Sequence, residues 1–125
     1  MSKKLELEFY VRSILNDQDS DPRIKFISEM YSTWFIVMIQ NLKICESTIM
    51  QGLEIMAEEL LQGEQKDSHV LVFLVFCIEF NKHCIMKQYK WYKLEMLVEI
   101  IVNILFRSDF IPPSASLSFN ICAII

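Results

Sequence analysis

The chain's two histidines and four cysteines are the side chains best suited to metal or nucleophile chemistry, and Cys77, His83 and Cys84 lie close together in sequence. No paired Cys-x-x-Cys or His-x-x-x-His spacing completes a tetrahedral ligand set, so these thiols read as small core residues. Glu58-Glu59 has the composition of a carboxylate pair for acid–base work. Adjacent residues of a helix point about 100° apart, so the pair reads instead as one edge of a solvated face. Tyr89, Trp91 and Tyr92, interleaved with Lys87, Lys90 and Lys93, could meet nucleic acid or a membrane surface, but the run is short and reads as a helix start. Gly52 and Gly63 stand alone, so no loop can cradle a phosphate. With no catalytic constellation, the expectation is a protein that is not an enzyme and carries no cofactor or metal.

The elements must therefore position a surface rather than a reaction. Among 125 residues, 12 are Lys or Arg and 16 are Asp or Glu; the net charge of −4 argues against nucleic acid as a partner. A hydrophobic share of 53% excludes disorder, and 2 Gly with 3 Pro are too few for the turns of an all-β fold. One domain over 1–125 is expected, with 112–125 an irregular tail behind Pro112-Pro113. Mean hydropathy of +0.30 raises the question of a membrane span. The apolar runs 30–39, 70–78 and 94–106 are too short for the roughly 20 residues of a span or carry polar side chains. Ser2-Lys3-Lys4 followed by alternating Leu and Glu is not a signal peptide. The expectation is a cytosolic chain without an integral anchor, its Cys45, Cys77, Cys84 and Cys122 reduced.

Helical periodicity runs through most of the sequence. Ser2 can cap a helix over about 3–15, with Leu7, Val11, Ile14 and Leu15 on one face. Asp21-Pro22 is a start signal, a capping carboxylate before a first-position proline, for a helix to about 42 with the stripe Ile24, Ile27, Tyr31, Phe35, Met38 and Leu42. Thr48 with Gln51 forms a possible capping box for a helix over about 48–62 that buries Ile49, Leu53, Met56 and Leu60 and stops at Gly63. Asp67 or Ser68 can cap the next segment, whose run 70–78 has no polar face. A helix hydrophobic all round sits at the centre of its domain, so 69–80 is expected there. A last helix over about 89–107 buries Leu94, Leu97, Val98, Ile101, Ile104 and Leu105, opposite Glu95, Glu99 and Asn103. Pattern alone thus predicts an all-α bundle of amphipathic helices around one apolar helix, with a groove between peripheral helices able to hold a partner's helix.

The run 58–76 resembles the first homology motif of the Bcl-2 family, which reads E-E-L-F-x-D-G-x-x-N-W-G-R-I-V-A-F-F-x-F. Glu59, Leu60, Phe73 and Phe76 coincide with it, and Leu61, Val70 and Leu71 are conservative. Lys66-Asp67-Ser68-His69 stands where the family has N-W-G-R. Upstream, Tyr31 and Phe35 fall on groove-lining aromatic positions, and Ile27 and Met38 on further apolar ones. The resemblance covers about 22–110 and, in a short chain with an altered motif, is closest to virus-encoded Bcl-2 homologues. It implies a Bcl-2-like fold and a prosurvival function in the host cytoplasm, peripheral to mitochondria through partners. The partner would be a pro-apoptotic host protein, held by its amphipathic Bcl-2 homology 3 helix. The implied groove has Ile27, Tyr31, Phe35 and Met38 on one wall and Leu53, Met56, Glu59 and Leu60 on the other, over Ser68, His69, Leu71, Val72 and Phe76.

Two departures carry consequences. Ser68 replaces the glycine that lets a partner helix approach closely, which predicts a narrow ligand range. His69 replaces an arginine that grips the partner's aspartate with two bonds, where an imidazole offers one. The alternative within the same resemblance is a viral adaptor that suppresses innate signalling through an outer helix face, often as a homodimer. Retained Tyr31, Phe35 and the run from Glu59 to Phe76 favour the first; altered 66–69 favours the second.

Overall fold

The structure, a computed structural model, describes residues 2–17, 20–42, 45–61 and 67–108, and of Leu42, Leu60, Asp67 and Ser68 the backbone alone. Five helices form: α1 (Lys3–Asn16), α2 (Pro22–Leu42), α3 (Ile49–Leu60), α4 (Asp67–Lys87) and α5 (Leu94–Arg107). The expected all-α bundle is what these residues make. Expectations resting on Leu42, Leu60, Gly63, the caps Asp67 and Ser68, the tail 112–125 and Cys122 lie outside the described side chains.

Two of the expected starts are built from the side chains named for them. Ser2 Oγ accepts from the Leu5 N–H at 3.1 Å. Asp21 Oδ1 accepts from the Arg23 N–H at 3.0 Å, with Pro22 supplying a first position that has no N–H to satisfy. The Thr48–Gln51 capping box does not form. Thr48 makes no side-chain cap bond; its Oγ1 instead accepts from the Cys45 N–H at 2.9 Å and closes the preceding turn.

Three boundaries differ from the periodicity reading. α3 ends at Leu60, where Leu61 N–H bonds to Ala57 O. α4 does not stop at about 80 but runs on to Lys87. Glu79 and Asn81, the first polar residues after the apolar run, are both buried with partners: Glu79 with Lys82 at 3.5 Å, and Asn81 Oδ1 with the Tyr92 hydroxyl. The helix thus attains the length and apolarity of a membrane span over His69–Lys87, although about two-thirds of it is packed inside the bundle. α5 begins at Leu94 because Tyr89, Trp91 and Tyr92 belong to the connection, where Tyr89 and Trp91 stack at 5.4 Å. Leu94 is accordingly half-buried rather than core.

α4 is the hub, packing against each of the other four helices. Among the described residues α2 lies along α4, and α3 spans α4 and α5. α1 and α5 pair antiparallel: Arg12 bonds Glu95 near the start of α5, and Lys3 Nζ lies 6.0 Å from the Phe106 ring near its end. Arg107 reaches from α5 to both carboxylate oxygens of Glu54 on α3, at 2.6 and 2.7 Å. Inside, Phe35 meets Phe76 edge-on at 6.1 Å, Phe76 stacks on Phe80 at 6.5 Å, and Phe80 meets Tyr92 at 6.4 Å. Burying each phenylalanine contributes about 1.5–3 kcal/mol, so this ladder is a principal tie between α2, α4 and the α4–α5 connection.

Candidate partner-helix site

The residues expected to line a groove separate into three sets. Phe35, Leu53, Leu71 and Phe76 are fully buried, and Met56 nearly so. Ile27, Met38 and Val72 are half-buried against the core. Tyr31, Glu59 and His69 are exposed. The stripe expected on α2 is thus corrected: its buried face carries Ile24, Ser28, Phe35 and Ile39, and Tyr31 lies outside it, 45% exposed. The reason is phase. Phe35, wedged against Phe76, fixes the rotation of the helix, and Tyr31 then falls on its flank.

Among the described residues, the burial of α4 is uneven. From position 70 to 81 every side chain of this helix is buried except Val72, and His69 one turn earlier is exposed. α2 and α3 each make their main contacts with α4 rather than with one another. The partly accessible Ile27, Tyr31 and Met38 on α2, Val72 and His69 on α4, and Glu59 on α3 are the groove candidates a ligand can touch without any rearrangement. Phe35, Leu53, Met56, Leu71 and Phe76 lie beneath the surface.

Four apolar residues that the stripe reading passed over are among the most exposed: Phe26, Met30, Trp34 and Val37. Their spacing of i, i+4, i+8 and i+11 marks a second stripe, turned away from Phe35. The signal was present in the sequence: a peripheral helix with two apolar stripes cannot bury both against one neighbour.

Two clefts lie elsewhere. One of about 410 Å³ between α3 and α5 is lined by Glu54, Ala57, Glu58, Leu61, Ile104 and Arg107 and is crossed by the Arg107–Glu54 pair. The other, about 260 Å³ between α1 and α5, contains the Arg12–Glu8 and Arg12–Glu95 pairs. In each cleft an arginine engages a carboxylate of the wall, Arg107 with Glu54 across α3 and α5 and Arg12 with Glu95 across α1 and α5, an arrangement that ties helices together.

Cys77 and Cys84 are buried, and burial pushes both thiols up, Cys84 to about 11. Such thiols stay protonated and pack as small apolar groups. His83 Nε2 stands 3.5 Å from the Tyr89 hydroxyl, held below its ordinary pKa by partial burial and by the nearby Lys87. Cys45 is exposed, and the hydroxyls of Ser47 and Thr48 bring its thiol down to about 7. Among the described residues no three His, Cys, Asp or Glu side chains converge as a metal site. Comparisons of the chain with family models, with curated proteins and with solved structures find no match.

Proposed function

We propose that the chain is a Bcl-2-like, virus-encoded apoptosis inhibitor that holds the Bcl-2 homology 3 helix of a pro-apoptotic host protein against α4, between α2 and α3. The observation that carries this reading is Val72, the one side chain from 70 to 81 of α4 that is partly accessible among the described residues, with the exposed His69 one turn before it. An amphipathic helix needs an apolar seam flanked by polar groups. Val72 with Ile27 and Met38 supplies the seam; Glu59, His69 and the Tyr31 hydroxyl supply polar flanks. Deeper anchors of the ligand reach Phe35, Leu53 and Phe76 as α2 and α3 part.

The test is binding of a panel of pro-death motif peptides to wild type and to Val72→Glu. At least one peptide binds the wild type, and a carboxylate in the seam weakens it about 30-fold or more; because Val72 also packs against the core, the melting temperature is measured beside the affinity, and Tyr31→Ala, at an exposed position, weakens binding without unfolding. A wild-type protein that binds no peptide of the panel overturns the proposal.

A second reading has an observation of its own. The outward stripe Phe26, Met30, Trp34 and Val37 favours an adaptor that suppresses innate signalling through an outer helix face. Trp34→Glu separates the two: it spares peptide capture in the first reading and abolishes signalling suppression in the second.

A further inference from the structure

We infer that the corner where α4 gives way to α5, residues 82–93, is a docking surface for an anionic lipid bilayer, used by the protein in its folded state. This segment holds Lys82, Lys87, Lys90 and Lys93 and no carboxylate, while the rest of the chain has twice as many acidic as basic residues. An acidic chain thus has a cationic corner. The carboxylates that flank it in sequence are engaged: Glu79 is buried with Lys82, and Glu95 is held by Arg12. Lys87, Lys90 and Lys93 are all exposed.

Charge alone would suit any polyanion, and the uncharged residues between the lysines select the bilayer. Ile85 is 60% exposed and Met86 69%, neighbours on the last turn of α4. A phosphodiester backbone gives such side chains nothing to bury in, whereas the boundary between headgroups and acyl chains does. Trp91 and Tyr89, stacked at 5.4 Å and half-buried, are the amphipathic rings that settle at headgroup depth. The cations are all lysine. Lysine is depleted from protein–protein interfaces, but its stem can lie along an apolar surface while the ammonium reaches the headgroups. The backbone gathers these groups. Gln88 turns left-handed at the end of α4, and 89–92 closes a turn through the Tyr92 N–H on Tyr89 O at 3.2 Å. Lys87, Lys90 and Lys93 therefore stand at one end of the bundle instead of along a helix side. Met86 lies roughly 21 Å along α4 from Val72, so the bundle can rest on a bilayer while a partner helix occupies the other end. Docking and capture are separate properties, and either can fail alone.

Co-sedimentation of the full chain with vesicles tests it, phosphatidylcholine alone against phosphatidylcholine carrying about 30% phosphatidylserine, up to about 1 mM lipid. The expected result is binding to the anionic vesicles that falls as salt rises, with little binding to the neutral ones. Removing a lysine charge near such a surface costs about fivefold, so Lys87→Gln, Lys90→Gln and Lys93→Gln together weaken binding about 100-fold. Met86→Ser, at an exposed position, weakens it without altering the charge. The chain has two tryptophans, and Trp34→Phe leaves Trp91 as the sole emitter, whose fluorescence should shift to the blue on anionic vesicles. A chain that does not bind anionic vesicles overturns the inference, including one that binds nucleic acid or an acidic peptide instead. So does equal binding to both kinds of vesicle, full binding by the triple lysine variant, or a Trp91 emission that does not move.

Discussion

The carboxylate of Asp21 is buried and accepts from the Arg23 N–H, the Arg23 guanidinium and the Tyr10 hydroxyl, the last at 2.8 Å. Burial alone pushes its pKa up, but the hydrogen bonds from Arg23 and Tyr10 outweigh it and hold the group below the ordinary aspartate range. A lowered folded pKa means that the unfolded chain binds the proton more readily. The stabilisation is therefore complete above the unfolded value of about 4 and is lost as pH falls through the folded one. Urea midpoints measured from pH 6 down to 2 should fall less steeply in Asp21→Asn than in wild type, although the variant starts about 1–2 kcal/mol lower at pH 7. Parallel acid profiles would remove Asp21 from the account. Asp21 was readable as a cap because Asp-Pro is a local signal; its bond to Tyr10, eleven residues away, was not. The same limit explains Tyr31 and Phe35, whose spacing fits one stripe while their burial is set by the contact with Phe76. It also bears on the Bcl-2 resemblance: Leu60 and Phe73 stand one residue closer together than the corresponding pair in the family pattern, so the two halves of the motif agree only across a one-residue shortening.

Helix α4 ends in a Schellman arrangement, with the Tyr89 N–H bonded to Cys84 O at 3.4 Å and the Gln88 N–H to Ile85 O at 3.1 Å. Gln88 sits at the left-handed position with φ of 55°, where a Cβ is disfavoured and glycine is the usual occupant. Gln88→Gly should stabilise the protein by about 0.5–1 kcal/mol, after the glycine's own unfolded-state entropy is set against the relieved strain. The melting temperature should rise by a few degrees, about 2–6 °C for a domain of this size. An unchanged or lower melting temperature would show that the Gln88 side chain is worth more than the strain it causes. No turn residue marks this end in the sequence, and the end of the apolar run at Ile78 points to a false one. α1 and α2, by contrast, carried local caps at both starts, and their starts were readable to the residue. The apolar run 70–78 was legible as the central helix because no amphipathic placement can satisfy it.

At the scale of the whole molecule, the ladder from Phe35 through Phe76 and Phe80 to Tyr92 ties α2 to the hub and the hub to the connection before α5. Phe35→Ala should cost about 3–5 kcal/mol by urea denaturation, a large share of the 5–15 kcal/mol that domains of this kind possess. A loss under about 1 kcal/mol would mean that Phe35 faces an opening rather than the core, which is where the resemblance places it. The bundle architecture was legible from composition and period; for α2 the two apolar stripes were visible, but not which of them the hub would take. One pairing also has a consequence in time. α1 finds its main cover on α5, the helix made last of the five, and has only a smaller contact with α4. On the ribosome, at about 5–20 residues per second, Leu7, Val11 and Ile14 wait several seconds before that cover is synthesised. Nascent chains halted before position 94 should expose α1 to protease and recruit hydrophobic-binding chaperones, and release of a few more turns should end both. The first helix made is thus sheltered only once the fifth has followed it.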